Sequence, residues 1–189
     1  MKKISQGSKN DIEVIDDFLP FDIWTQLDEM FGYNQNIGWV KDIVINEELE
    51  TNKGLLCDEK YNVQYVHWLY NFHAARGVCD DVMGHFGDKL AWRALLRAKV
   101  NWTQCTEEIQ EYGYHVDYPW DHQTAIYYFN TNDGYTKFQK CGTKVASKAN
   151  RLIKIPTSLY HTGTTCTNGS GMKAEPNKGR YVLNINYIR

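Results

Sequence analysis

The run YGYHVDYPWDH places His115 and Asp117 two residues apart. Along an extended segment side chains alternate faces, so this imidazole and this carboxylate point the same way while Val116 turns away. Two such ligands need a third to hold a metal. His161, in IPTSLYHTGTT, is the best candidate, because an expected strand gives way there to a polar, Gly-rich segment. Two histidines and one carboxylate on one face of an ion leave three coordination positions open, an arrangement suited to non-haem Fe(II) and its reactions with oxygen. An HxD pair alone is a weak signal, since a chain with six histidines can offer one by chance. Its weight comes from company: His161 follows 46 residues after His115, and Arg180 comes 19 residues later, at the start of the last expected strand.

The elements that must position these groups are mostly strands. From Arg93 onward, short runs with alternation or β-branched and aromatic residues are separated by turn signals. They predict strands near Leu95 to Gln104, Tyr114 to Asp117, Thr124 to Asn130, Tyr135 to Phe138, Lys144 to Ser147, Arg151 to Ile155, Leu159 to His161 and Arg180 to Ile188. Eight short strands suit a double-sheet jelly roll. Strand parity puts Arg180, Val182, Asn184 and Asn186 on one face of the last strand and Leu183, Ile185 and Tyr187 on the other, so the polar side is expected to face a cavity. Thr124, Ile126, Tyr128 and Asn130 likewise share a face, as do Lys99, Asn101 and Thr103.

Upstream, a strand is expected over Ile12 to Phe18 and an amphipathic helix over about Phe21 to Phe31, where Phe21, Trp24, Leu27, Met30 and Phe31 recur at helical spacing. Gly32 to Lys60 reads as irregular, with one strand around Trp39 to Ile45. So long a weakly patterned stretch suits a loop covering a site. Tyr61 to Phe72 fits strand or helix equally, and a second helix is expected over about Gly77 to Phe86. The expectation is a mainly β (α+β) chain of one domain, 1–189, with residues 1–92 as helical and irregular support and 93–189 as the jelly-roll core. Between His161 and Arg180 the Gly-, Thr- and Lys-rich run TGTTCTNGSGMKAEPNKG is expected to form a flexible loop at the mouth.

Bulk properties narrow the partners. A net charge of −2 gives no electrostatic footprint for nucleic acid or an anionic membrane surface. No apolar run approaches the roughly 20 residues that span a bilayer, and the N-terminus lacks the apolar segment of a secretory signal. Five scattered cysteines without a CxxC pair indicate neither a zinc ribbon nor a disulfide framework. A soluble protein of the cytoplasm is expected.

The ordered motifs HVD, TAIYYFNTNDGYTKF, NRLIKIPTSLYHTGTT and GRYVLNINY resemble those of the 2-oxoglutarate and Fe(II)-dependent dioxygenases, and most closely the prolyl 4-hydroxylase-like branch that includes small bacterial and phage forms. The resemblance covers the C-terminal half, with a weaker echo in IEVIDDFLP. It implies a double-stranded β-helix of jelly-roll, cupin-like type with N-terminal helices packed on one sheet. It implies further that His115, Asp117 and His161 ligate Fe(II), that Arg180 grips the distal carboxylate of 2-oxoglutarate, and that Ile126 and Tyr128 lie against this co-substrate, with the Tyr128 hydroxyl donating beside Arg180. A guanidinium suits the task because its planar fork makes two parallel hydrogen bonds to a carboxylate. Some relatives carry a Ser or Thr two residues after their arginine; here that position is Val182. The tyrosine that many prolyl hydroxylases place on the strand before HxD has no clear counterpart, and Lys99, Asn101 and Thr103 are the alternatives on that face.

The implied reaction consumes 2-oxoglutarate and O2, yields succinate and CO2, and hydroxylates a peptidyl, prolyl-like or small-molecule substrate; the ligand Asp117 favours hydroxylation over halogenation. The competing reading is a cupin-like protein that binds a metal or small ligand without turnover, and a zinc hydrolase is a third. His122 is expected in a loop near the cavity mouth, Trp120 either stacks on substrate or packs, and Arg93, Arg97 and Lys99 read as a solvated strand face. His67, His73 and His85 read as structural or surface groups.

Overall fold

Alternation along the last strand divides the molecule into a helix-covered side and a cavity side. The computed structural model describes residues 12–32, 37–170 and 179–189. In chain order its elements are β1 (Glu13–Ile15), α1 (Phe21–Gly32), β2 (Val40–Asp42), β3 (Gln64–Asn71), β4 (Ala74–Ala75), α2 (Cys79–Leu90) and β5 (Ala94–Gln104). There follow β6 (Gln123–Tyr128), β7 (Thr131–Asn132), β8 (Tyr135–Phe138), β9 (Lys144–Ala146), β10 (Arg151–Pro156), β11 (His161–Thr162), β12 (Gly169–Ser170) and β13 (Gly179–Ile188). The larger sheet runs β1-β10-β6-β13-β5-β3-β2, with β4 paired to β3; β11-β8-β9 form a second sheet and β12-β7 a short ribbon.

On β13, Leu183, Ile185 and Tyr187 join Ala98 and Val100 of β5, Ala125 and Tyr127 of β6 and Leu69 of β3 in one core. Leu27 and Phe31 of α1 and Val82, Met83, Phe86 and Leu90 of α2 close over it, which is what their helical spacing requires. The other face of the sheet carries Ile126, Tyr128, Ile153, Ile155 and Val182, which pack with Phe138, Val145 and Leu159 from the smaller sheet's side. The fold is therefore a mainly β double-stranded β-helix of jelly-roll type with two helices on one sheet. Asn150 pins the chain entering α1: its side chain accepts from Leu19 N at 2.9 Å and donates to Leu19 O at 2.8 Å.

One open reading is decided, one expectation changes, and one falls partly outside the described residues. Tyr61 to Phe72 is strand over Gln64–Asn71, so the N-terminal support also supplies β1 to β4 to the larger sheet. Gln64 and Val66 are inside with a period of two, and the register shift between Trp68 and Tyr70 moves the next buried position to Leu69, which obscured the alternation. Tyr114 to Asp117 is not a regular strand; it makes single bridges through His115 to Asn52 and to His161. The expected mouth loop is described only as far as Ser170 and from Gly179, and the rest of that expectation lies outside the described residues.

Candidate functional site

The two histidines are brought together by backbone. His115 N donates to His161 O and His161 N to His115 O, each at 3.0 Å, so the residues face each other directly as an antiparallel pair. Their ring centroids lie 4.7 Å apart. Nδ1 of His115 is 3.3 Å from Gly113 O, and Nδ1 of His161 is 3.2 Å from Leu159 O. Donation from Nδ1 to a carbonyl fixes the tautomer that offers Nε2 to a metal. Burial, reinforced by the neighbouring His161, pushes the His115 imidazole down to about 4, so near neutral pH it is uncharged, the form a metal would require.

The segment carrying His115 is held from outside by the stretch that reads as a covering loop. Lys53 N donates to Tyr114 O, Leu56 N to Tyr112 O and Val116 N to Thr51 O. Gly113 allows the close approach, since a methyl there would run into the carbonyl of Gly54. The single bridges keep His115 and Asp117 convergent without a full ladder.

Asp117 turns back onto the larger sheet. Its Oδ1 accepts from Arg97 Nη2 at 2.6 Å, and its Oδ2 from Thr124 Oγ1 and Asn186 Nδ2, each at 3.0 Å. Burial alone would raise this carboxyl; the Arg97 guanidinium, the two imidazoles and Asn186 outweigh it and hold the group well below the usual carboxylate range. A carboxylate has about four lone-pair sites, so these bonds orient Asp117 and still leave capacity for a metal. Ligand atoms of His115, Asp117 and His161 all lie within 4.8 Å of one another. Ligands of one ion at about 2.1 Å stand roughly 3–4 Å apart, so closure by about 1–2 Å would bring the three onto a single ion.

These three side chains open into a cavity also lined by Lys99, Asn101, Thr103, Tyr112, Ile126, Thr136, Arg180 and Asn184. Arg180 is 4% exposed. Its Nε donates to Ser147 Oγ at 2.9 Å and its Nη2 to Thr136 Oγ1 at 3.1 Å, and no carboxylate among the described residues pairs with it. The Tyr112 hydroxyl, Asn101 Oδ1 and Asn184 Oδ1 are buried in this cavity without a hydrogen-bond partner among the described residues. A polar ligand would satisfy such groups, and the donor set fits Fe(II) together with a small dicarboxylate.

Of the remaining expected residues, Ile126 lines the cavity. Tyr128 is fully buried behind it, and its hydroxyl donates to Thr136 Oγ1 at 2.7 Å while Arg180 sits over its ring at 5.5 Å. Tyr128 thus reaches the cavity through Thr136. The solvated face expected of Arg97 and Lys99 is not what forms: Arg97 pairs with Asp117, and Lys99 lines the cavity. The parity that links them to Asn101 and Thr103 was the available signal. His122 is buried beside the site, with Nδ1 2.9 Å from Trp120 O and Nε2 3.2 Å from Thr124 Oγ1, so it supports Thr124 rather than standing at the mouth. Trp120 stacks on Tyr118, with ring centroids 4.5 Å apart. Tyr112 escaped sequence reasoning because it lies on no expected strand; Thr136 lies on one, where parity with Phe138 was the unused signal.

No protein-family model matches the chain, and no curated protein matches by sequence. Solved structures do. A prolyl hydroxylase from Trichoplax adhaerens, in complex with a peptide fragment of the hypoxia-inducible factor oxygen degradation domain, superposes with a TM-score of 0.62 at 14% identity, covering 95% of this chain and 84% of that one. A Pseudomonas putida prolyl-4-hydroxylase gives 0.60 at 13% identity over 94% and 92%. A 2OG-Fe(II) oxygenase family oxidoreductase from Burkholderia pseudomallei gives 0.58 at 11% over 95% and 86%. The chain has the fold of the 2-oxoglutarate oxygenases. No helix among the described residues is long and apolar enough to cross a membrane.

Proposed function

We propose that this chain is an Fe(II)- and 2-oxoglutarate-dependent oxygenase, a hydroxylase that releases succinate and CO2 while oxidising a peptidyl, prolyl-like or small-molecule substrate. The observation that carries the reading is the pairing, in one cavity, of a His–Asp–His cluster with a buried arginine whose side-chain hydrogen bonds among the described residues go to neutral hydroxyls. A buried, unpaired guanidinium is costly, and a carboxylate is the ligand that offsets the cost.

Bound iron and keto acid would supply the activation of O2, one oxygen atom passing to succinate and the other to the substrate. His115, Asp117 and His161 would hold the metal, and Arg180 the distal carboxylate, with Thr136 fixing the guanidinium and Tyr128 fixing Thr136. Ile126 and Val182 form the apolar wall that limits water. Beyond Asp117, Phe72, Tyr118 and Trp120 make an aromatic group, Phe72 and Trp120 partly exposed, with the Arg97 guanidinium 4.9 Å over the Tyr118 ring. Such a surface suits a ring-bearing or flat substrate group, and the near-neutral charge disfavours nucleic acid.

The test is succinate formation from 2-oxoglutarate under O2. Wild-type protein should produce it only with Fe(II), and His161→Ala or Arg180→Ala should abolish it. Metal binding without succinate would favour the cupin-like binding protein instead.

A further inference from the structure

Two thiols that the proposed chemistry does not use are placed to react with each other. Cys105, the residue after β5, and Cys166, on the segment that follows β11, are partners in a single parallel bridge. Their Sγ atoms are 3.5 Å apart, and both thiols are free. Backbone-paired neighbours of this kind have Cα atoms roughly 5 Å apart, inside the window of about 4.4–6.8 Å that a disulfide spans. The chain on both sides is already fastened: Thr106 N donates to Cys166 O at 2.9 Å, the Thr106 and Thr165 hydroxyls are 2.6 Å apart, and Thr165 N donates to Gln110 O at 3.0 Å. The sulfurs need to approach by only about 1.5 Å to reach a bond length of about 2.05 Å, within reach of their side-chain torsions. The two differ in access. Cys105 is half-buried, whereas Cys166 is buried, and burial, with the Cys105 sulfur beside it, pushes the Cys166 thiol up. Cys105 is therefore the sulfur that an oxidant meets first, with Cys166 held behind it.

We propose that Cys105 and Cys166 form a modification site, a thiol pair that a peroxide converts reversibly to a disulfide. The Cys105 thiolate attacks the peroxide O–O bond and takes one oxygen as a sulfenic acid, the other leaving as water. The Cys166 sulfur then displaces that hydroxyl, the S–S bond forms, and the hydroxyl departs with the Cys166 proton as a second water. Two thiols and one H2O2 thus give one disulfide and two waters. The bridge joins residues 61 apart in the chain and clamps residues 163–166 to the end of β5. That segment lies against the arginine end of the cavity: Gly163 lines it, and a methyl on Gly163 would stand 3.4 Å from Arg180 Nη1. Oxidation therefore fixes one wall of the cavity without using the His–Asp–His cluster, whatever ligand the cavity takes.

The test treats the reduced full chain with a small excess of hydrogen peroxide, a chelator being present to keep trace metal from generating radicals. Intact mass, peptide mapping and thermal melting read the product. The expected product is lighter by the mass of two hydrogens and carries one bridge, Cys105 to Cys166, which dithiothreitol reopens. Closing so long a loop should raise the melting temperature by about 5–10 °C. That gain should be absent from Cys105→Ser and Cys166→Ser and kept by Cys57→Ser and Cys141→Ser. Mapping of the wild type identifies the bridge by itself, so the answer stands even where a serine variant fails to fold. Wild-type thiols that stay free, that pass on to sulfinic acid, or that bridge through Cys57 or between chains overturn the proposal. A Cys105–Cys166 bridge that does not raise the melting temperature overturns the clamp.

Discussion

Replacing Arg97 with Met should weaken the metal-free protein and tighten its grip on a metal. The Arg97–Asp117 pair is close, at 2.6 Å, and its side chains are 14% and 5% exposed. Removing one partner of a buried pair typically costs about 3–5 kcal/mol, because the remaining charge is left uncompensated. Asp117 would keep its position, since Thr124 and Asn186 each hold Oδ2 at 3.0 Å. A divalent ion bound to Asp117 supplies the compensation that Arg97 gave, so the loaded variant should lose only about 1 kcal/mol. Thermodynamic linkage then requires the variant to bind metal more tightly by roughly 2–4 kcal/mol, at least about 30-fold. Urea unfolding with and without Zn(II), together with direct calorimetric titration, closes this cycle. Weaker metal binding by Arg97→Met would refute the reasoning and make Arg97 an orienting group that the carboxylate cannot do without.

Other outcomes follow from the same geometry. Burial, with help from Arg97, pushes Lys99 down to about 8 from its ordinary 10.5. Between those values the unfolded chain binds more protons, so this residue makes stability rise with pH, by at most about 3 kcal/mol. Denaturation of wild type and Lys99→Met from pH 8 to 10 should show that rise in the wild type relative to the variant; parallel curves would contradict it. Tyr128→Phe should cost less than about tenfold in 2-oxoglutarate affinity, because the hydroxyl acts through Thr136. A loss as large as that of Arg180→Ala would restore a direct contact. Gly113→Ala should lower stability by about 1–3 kcal/mol and weaken metal binding, as its methyl pushes the Gly54 carbonyl off the His115 segment; unchanged calorimetric melting would count against that packing.

What could be read in advance was what local periodicity encodes. The alternation on β13 separated Leu183, Ile185 and Tyr187, now under the helices, from Arg180 and Asn184, now in the cavity. The helical spacing of Phe21 to Phe31 likewise announced α1. Contacts that depend on where distant segments cross were not legible. Parity grouped Lys99 with Asn101 and Thr103, but only the pairing of β5 with both β3 and β13 turns that face inward. The Arg97–Asp117 bond depends on an irregular segment folding back over the sheet, which no pattern in either run reports. Tyr128 shared a face with Ile126 as expected, yet the Thr136 hydroxyl from another sheet intercepts its own.

The most direct test of the account is calorimetric titration of the metal-free protein with Mn(II). The account predicts one ion per chain, bound by the wild type and lost in His115→Ala, Asp117→Ala and His161→Ala alike, with Arg180→Ala still binding it. Binding that survives removal of any one of those three ligands, or a wild type that takes up no ion, would contradict it.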